Sequence, residues 1–160
     1  EEGLATGMSI AENTTLGTLP RFAAANGWGL LSLKKERAAV LKLIEDVGIR
    51  CEGPKQMIDQ LSGGNQQKVA FARIVEQDAE ILLLDEPTRG VDVGSKVEIY
   101  KLINRFASEG KGIVFISSYL PELLGVCDRI AVMHRGRLSE ARPSEQWTEH
   151  EIMGIATSGV

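Results

Sequence analysis

Apolar residues recur along the chain in two rhythms. From Leu33 they come at helical spacing, with Val40, Leu43, Ile44 and Val47 on one face and Gly48 as a natural stop. Upstream, Ser9-Ile10-Ala11-Glu12 has the spacing of a capping box and predicts a short helix. Thr18 to Ser32 is rich in Gly, Pro and Ala, lacks a period, and reads as a loop. Near Glu80 the rhythm changes. Ile81-Leu82-Leu83-Leu84 and Gly112-Ile113-Val114-Phe115-Ile116 are short apolar runs of strand type. Between them Asp92 to Ala107 places Ile99, Leu102, Ile103 and Phe106 at helix spacing, ended by Gly110. Apolar strand, helix, apolar strand predicts a βαβ unit with a buried parallel sheet, hence an α/β fold. A third apolar run, Arg129 to Met133, leads to a turn at Arg135-Gly136 and a hairpin partner at Arg137-Leu138. The tail from Ser144 is predicted helical, with Thr148 and Glu151 as its capping pair.

Composition narrows the class. The 160 residues carry 18 Lys and Arg against 22 Asp and Glu, a net charge of −4, which argues against nucleic-acid binding through broad basic charge. Hydrophobic residues at 43% and charged residues at 25% are ordinary for a globular domain and exclude a disordered acidic tail. No apolar run approaches the roughly 20 residues of a membrane-spanning helix. Cys51 and Cys127 lack ligand-like spacing and suit a reducing compartment better than a disulfide framework. His134, beside the predicted turn, reads as a surface residue rather than a ligand, and Trp28 and Trp147 as packing anchors.

Three stretches carry candidate chemistry. In Leu61-Ser62-Gly63-Gly64-Asn65-Gln66-Gln67-Lys68, Ser and two glycines precede good helix formers. This predicts a helix N-terminus whose bare amides and dipole suit a phosphate, although a plain loop-to-helix cap explains the same residues. In Ile81-Leu82-Leu83-Leu84-Asp85-Glu86-Pro87-Thr88, two carboxylates end a buried strand, where open α/β sheets bind ligands. Asp85 is the candidate Mg²⁺ ligand, and Glu86 the group that orients or deprotonates a water attacking a phosphoryl group; the all-aliphatic strand running directly into Asp-Glu-Pro-Thr argues against a merely solvated acidic turn. Arg89-Gly90-Val91-Asp92 opens the next helix, with Asp92 as its N-cap.

Leu-Ser-Gly-Gly, a helix, four aliphatic residues and Asp-Glu-Pro-Thr, in that order and separation, resemble the ABC ATPase family of P-loop nucleotide-binding domains. The resemblance makes Leu61 to Asn65 the signature motif, the strand ending at Asp85 the Walker B strand, Glu86 the catalytic carboxylate and Arg89 to Asp92 the D-loop. Gly7-Met8-Ser9-Ile10-Ala11-Glu12-Asn13, Asn65-Gln66-Gln67-Lys68, Thr88-Arg89-Gly90-Val91-Asp92-Val93-Gly94 and Ser117-Ser118-Tyr119-Leu120-Pro121-Glu122 are similar to the second ATPase half of bacterial monosaccharide importers of the ribose, xylose and galactose type.

The resemblance implies an ABC core with a parallel sheet and a helical signature subdomain, in three stretches. Residues 1–78 would be the helical part with the signature, 79–138 Walker B, D-loop and switch, and 139–160 a tail. It implies ATP and Mg²⁺ as ligands. Ser62, Gly63, Gly64 and Asn65 would complete an ATP site on a partner, either the other nucleotide-binding half of one polypeptide or a second copy. Further partners would be a membrane permease and, indirectly, a periplasmic sugar-binding protein, with no nucleic acid; the place of work would be the cytoplasmic face of the bacterial inner membrane.

Two departures qualify this. No Gly-x-x-x-x-Gly-Lys-Ser/Thr string occurs; Gly110-Lys111-Gly112 is the nearest approach. The Walker A loop and the glutamine loop are therefore expected upstream of Glu1, and this chain alone is expected to hydrolyse little ATP. Ser118 stands where many members carry a His that contacts the γ-phosphate, either as a benign turn residue or as the mark of a weakened hydrolytic site. A non-transport ABC protein of DNA repair or the ribosome, and an inactive interaction module, are the alternatives.

Overall fold

The computed structural model describes residues 3–23 and 30–159. Trp28 and part of the expected 18–32 loop lie outside them. Two compact units are present, Glu1–Leu82 with Thr88–Ile113 and Leu83–Pro87 with Val114–Val160.

The first unit is mainly helical. α1 (Ile10–Thr15) opens on the expected capping box: Ser9 Oγ accepts from the Glu12 amide and the Glu12 side chain accepts from the Ser9 amide. Asn13 is buried and fully engaged, accepting from the Ala5 amide at 2.8 Å and donating to the carbonyls of Ala5 and Ser9. Leu19–Phe22 forms a single 3₁₀ turn within the expected loop. α2 (Leu33–Val47) buries Val40, Leu43 and Val47 and stops at Gly48, whose left-handed backbone (φ 70°) is the conformation glycine adopts without steric cost. α3 (Gly63–Gln77) buries Val69, Phe71 and Ala72, and α4 (Val93–Ser108) buries Ile99, Leu102, Ile103 and Phe106, the face that its periodicity predicts. Phe71 and Phe106 meet with ring centroids 6.2 Å apart.

A buried cation joins three of these helices. Lys68 on α3 is 4% exposed, donates to the Gly48 carbonyl at 2.9 Å at the end of α2, and pairs with the Glu98 carboxylate on α4. Arg50 reaches the same carboxylate at 3.1 Å. A lysine at that depth is tolerable because its charge is both paired and hydrogen-bonded.

β1 (Ile81–Asp85) and β2 (Gly112–Ile116) are hydrogen-bonded neighbours. Gly112 N–H donates to the Glu80 carbonyl where they begin, and Glu86 N–H to the Ile116 carbonyl where they end, so they run in the same direction with α4 as crossover. In this chain the two faces of β1 differ in burial. Leu82 and Leu84 are buried, whereas Ile81 and Leu83 are 67% and 72% exposed. The strand pleat alternates faces with a period of two, and an all-aliphatic run hides that alternation.

The second unit continues through α5 (Leu120–Val126), a helix that the periodicity does not reveal, and four two-residue strands. The run 129–133 is split rather than continuous. β3 (Arg129–Ile130) pairs with β6 (Arg142–Pro143), and β4 (Met133–His134) pairs with β5 (Arg137–Leu138) across the expected Arg135-Gly136 turn. Both turn residues have positive φ, 44° and 77°, as a two-residue hairpin loop of this twist requires. Ser144–Gln146 is a 3₁₀ turn, and the tail helix proper is α6 (Glu149–Ser158), opened by the Thr148–Glu151 capping box. Trp147 is the packing anchor of this unit, clustered with Ile130, Val132 and Ile152 and donating its indole N–H to the Ile130 carbonyl at 3.0 Å. His134 is half-buried, its Nδ1–H donating to the Ala156 carbonyl at 2.9 Å. No helix among the described residues is long and apolar enough to cross a membrane.

The Lys68 bond and charge hold the Glu98 carboxyl below the usual carboxylate range. A carboxylate with a depressed folded pKa stabilises above its unfolded pKa, about 4.3, and loses that contribution as pH falls through the folded value. Glu98→Gln is therefore expected to cost about 1 kcal/mol at pH 7, the scale of a charged hydrogen bond discounted for an exposed partner. Denaturant unfolding across the acid range should show the gap to the parent closing.

Candidate functional site

The candidate residues fall into two groups, one in each unit. The first forms around the start of α3. Ser62 adopts extended backbone at the N-cap, yet its side chain makes no bond to its own helix. Its Oγ accepts instead from Asn65 Nδ2 at 2.9 Å, while Asn65 Oδ1 accepts from the Arg50 amide at 2.9 Å. The helical ladder opens with Gln66 N–H donating to the Ser62 carbonyl at 2.9 Å. The amides of Gly63, Gly64 and Asn65 thus stand ahead of that ladder, as the first amides of any helix do. Ser62 and Gly63 are exposed.

Gly64 is buried for a steric reason. A Cβ there would lie 2.4 Å from Ser95 Oγ and 2.6 Å from Ser95 Cβ, and one on Gly63 would lie 3.6 Å from the Gly90 carbonyl. The Ser-Gly-Gly turn therefore packs directly against the stretch that opens α4. Asp92 caps that helix: Oδ1 accepts from the Ser95 amide at 3.0 Å and Oδ2 from Ser95 Oγ at 2.7 Å. The Ser95 hydroxyl and amide hold the Asp92 carboxyl below its ordinary value. Two helix N-termini meet here, each the positive end of a dipole. One is occupied by a carboxylate of the chain, and the other carries no side-chain cap and is lined by glycine.

The second group lies at the carboxyl end of β1. Asp85 is exposed, and Glu86 is half-buried with a left-handed backbone, φ 46°. That conformation costs a non-glycine residue about 1 kcal/mol and persists where the surroundings enforce it. Here they do: the Glu86 amide donates to the Ile116 carbonyl at 2.9 Å, and Glu86 Oε1 accepts from the Ser118 amide at 2.8 Å. Ser118 reaches Glu86 through its main chain, not through its hydroxyl. The exposed Asp85 could serve as one carboxylate ligand to Mg²⁺, which takes one or two protein carboxylates and keeps several waters. Among the described residues no cluster of three or more His, Cys, Asp or Glu offers a self-sufficient metal cage.

The ABC transporter family profile matches residues 1–89. The chain belongs to the ABC transporter family. It is 46% identical over 156 residues to the ribose import ATP-binding protein RbsA of Pseudomonas putida, covering 98% of this chain and 30% of that protein. It is 44% identical over 158 residues to the RbsA of Caldanaerobacter subterraneus subsp. tengcongensis, covering 99% of this chain and 32% of the relative. The chain thus spans about a third of the length of these curated relatives. A solved dimeric ATP-binding cassette, in a post-hydrolysis state bound to ADP and Pi, superposes with a TM-score of 0.72 at 23% identity over 90% of this chain and 60% of that one. That likeness carries the fold, an α/β ABC ATPase fold with a parallel strand pair.

In this ABC chain Ser62, Gly63, Gly64 and Asn65 come together with the Asp92 cap in the first unit, and Asp85, Glu86 and Ser118 come together in the second. Sequence reasoning missed Ser95. Ser95 follows Asp92 by three, the spacing at which a cap meets its helix, and that was its only signal. Gly64→Ala is expected to lower stability by about 1–3 kcal/mol through overpacking against Ser95. Thermal unfolding should show part of that loss recovered when Ser95→Gly is added.

Proposed function

We propose that the chain is the signature-bearing, Walker B-bearing segment of an ATPase that energises sugar import. The observation that supports the chemistry is Glu86: a carboxylate at the carboxyl end of a parallel strand, in left-handed backbone, with one oxygen anchored by the Ser118 amide. With Oε1 so held, the other oxygen is the one to orient or deprotonate a water attacking a γ-phosphoryl group. Asp85 would hold Mg²⁺ beside the phosphates, where the ion supplies charge neutralisation. The unladdered amides of Gly63, Gly64 and Asn65, with the Ser62 hydroxyl, would face the γ-phosphate of an ATP held by the other nucleotide-binding half or a second copy. Asp92 would shape that edge from the neighbouring helix start.

The substrate class follows from the relatives, whose names give ribose import and ATP binding. The same likeness supports a permease and a sugar-binding protein as partners, and the cytoplasmic face of the inner membrane as the place of work. It favours transport over a DNA-repair or ribosome-associated role.

The test is ATP turnover and sugar uptake by the assembled importer. Glu86→Gln should lower kcat by about 10²- to 10⁴-fold, the scale of a lost general base, with KM for ATP little changed. Ser62→Arg should impair turnover by placing a long side chain over the amides. Parent-level hydrolysis and uptake in both variants would overturn the proposal.

A further inference from the structure

The turn between β2 and α5 holds a hydrogen-bond chain that none of the steps above uses. Glu122, in the first turn of α5, is 4% exposed although it carries a carboxylate. Ser117 Oγ donates to Glu122 Oε1 and accepts from the Tyr119 amide at 2.9 Å. These bonds pin the residues on both sides of Ser118, whose amide donates to Glu86 Oε1. Two residues before Ser118, Ile116 takes the Glu86 amide on its carbonyl. Residues 116–119 thus grip Glu86 by main chain and side chain together, and the grip is anchored at Glu122.

A buried carboxylate costs several kcal/mol unless it is bonded. Neighbouring Leu120, Leu123 and Leu124 pack against the apolar cluster of this unit. The packing of α5 rests on these leucines, whereas the Glu122 carboxylate is bonded to the Ser117 hydroxyl.

We infer that Ser117 and Glu122 form a positioning pair for Glu86: Glu122 orients the Ser117 hydroxyl, Ser117 sets the 117–119 turn, and the turn presents the Ser118 amide to the Glu86 carboxylate. This role rests on the proposal that Glu86 acts on the attacking water. Neither residue touches substrate; both act through where Glu86 sits. Displacement of a reacting group by about 1 Å can cost as much as 100-fold in rate, so loss of the pair is read in kcat rather than in nucleotide binding.

The test uses the full-length ATPase assembled with its permease. Ser117→Ala and Glu122→Ala should each lower kcat about tenfold with KM for ATP within about twofold. Ser117→Thr and Glu122→Gln, which keep the donor and an acceptor oxygen, should return turnover to within about threefold of the parent. Amide exchange at Ser118 should accelerate in Ser117→Ala, a measurement that stands even where Glu122→Ala fails to fold. Unchanged kcat and unchanged Ser118 exchange, with Glu86→Gln still inactive, overturn the positioning role and leave that of Glu86 intact. A loss shared between KM and kcat that tracks thermal stability and is not rescued by the conservative variants also overturns it. Full turnover in Glu86→Gln removes the proposed function and this inference with it.

Discussion

β1 and β2 run side by side in the same direction, and a parallel pair can be closed only by a connection that crosses back over the sheet. α4 is that connection, which is why a 16-residue amphipathic helix intervenes between two five-residue strands. Because the strands are parallel, their carboxyl ends finish together: Asp85 and Glu86 leave one, Ser117 and Ser118 leave the other, and the Glu86–Ile116 and Ser118–Glu86 bonds follow directly. An antiparallel pair would have put those ends at opposite edges, and Glu86 would have lost the amide that anchors it.

A second constraint is steric and belongs to the first unit. Gly64 has no room for a side chain because Ser95 fills the space beside it, so the starts of α3 and α4 close on each other without intervening atoms. Two like dipole ends brought together repel, and the Asp92 carboxylate, bonded to Ser95, offsets one of them. The asymmetry leaves the α3 terminus with glycine, a hydroxyl and unladdered amides, which is a surface suited to phosphate.

Legibility in the sequence followed the range of the interaction. Features closed within a few residues were readable: the Ser9–Glu12 and Thr148–Glu151 capping boxes, the Gly48 stop, the Arg135-Gly136 turn and the helical faces of α2 and α4. Which face of β1 this chain covers was not, because four aliphatic residues in a row conceal the pleat. Ser95 is 31 positions beyond Gly64, and nothing local in either marks the contact. Ser118 stands out for the side chain it lacks, while the atom that meets Glu86 is an amide that every residue but proline carries. Glu122 was unreadable as a buried anchor because a glutamate on a short helix is normally solvated.

In the proposed assembly the amides of Gly63, Gly64 and Asn65 meet the phosphates of an ATP held by a partner domain. Residue-resolved hydrogen exchange of these amides, in the full-length protein with and without Mg-ATP, reads that contact atom by atom. They precede the helical ladder, and that of the exposed Gly63 in particular should exchange quickly without nucleotide. With Mg-ATP bound they should become protected, and Ser62→Arg should abolish the protection. Equal exchange in the two states, at nucleotide concentrations that saturate binding, would contradict the account.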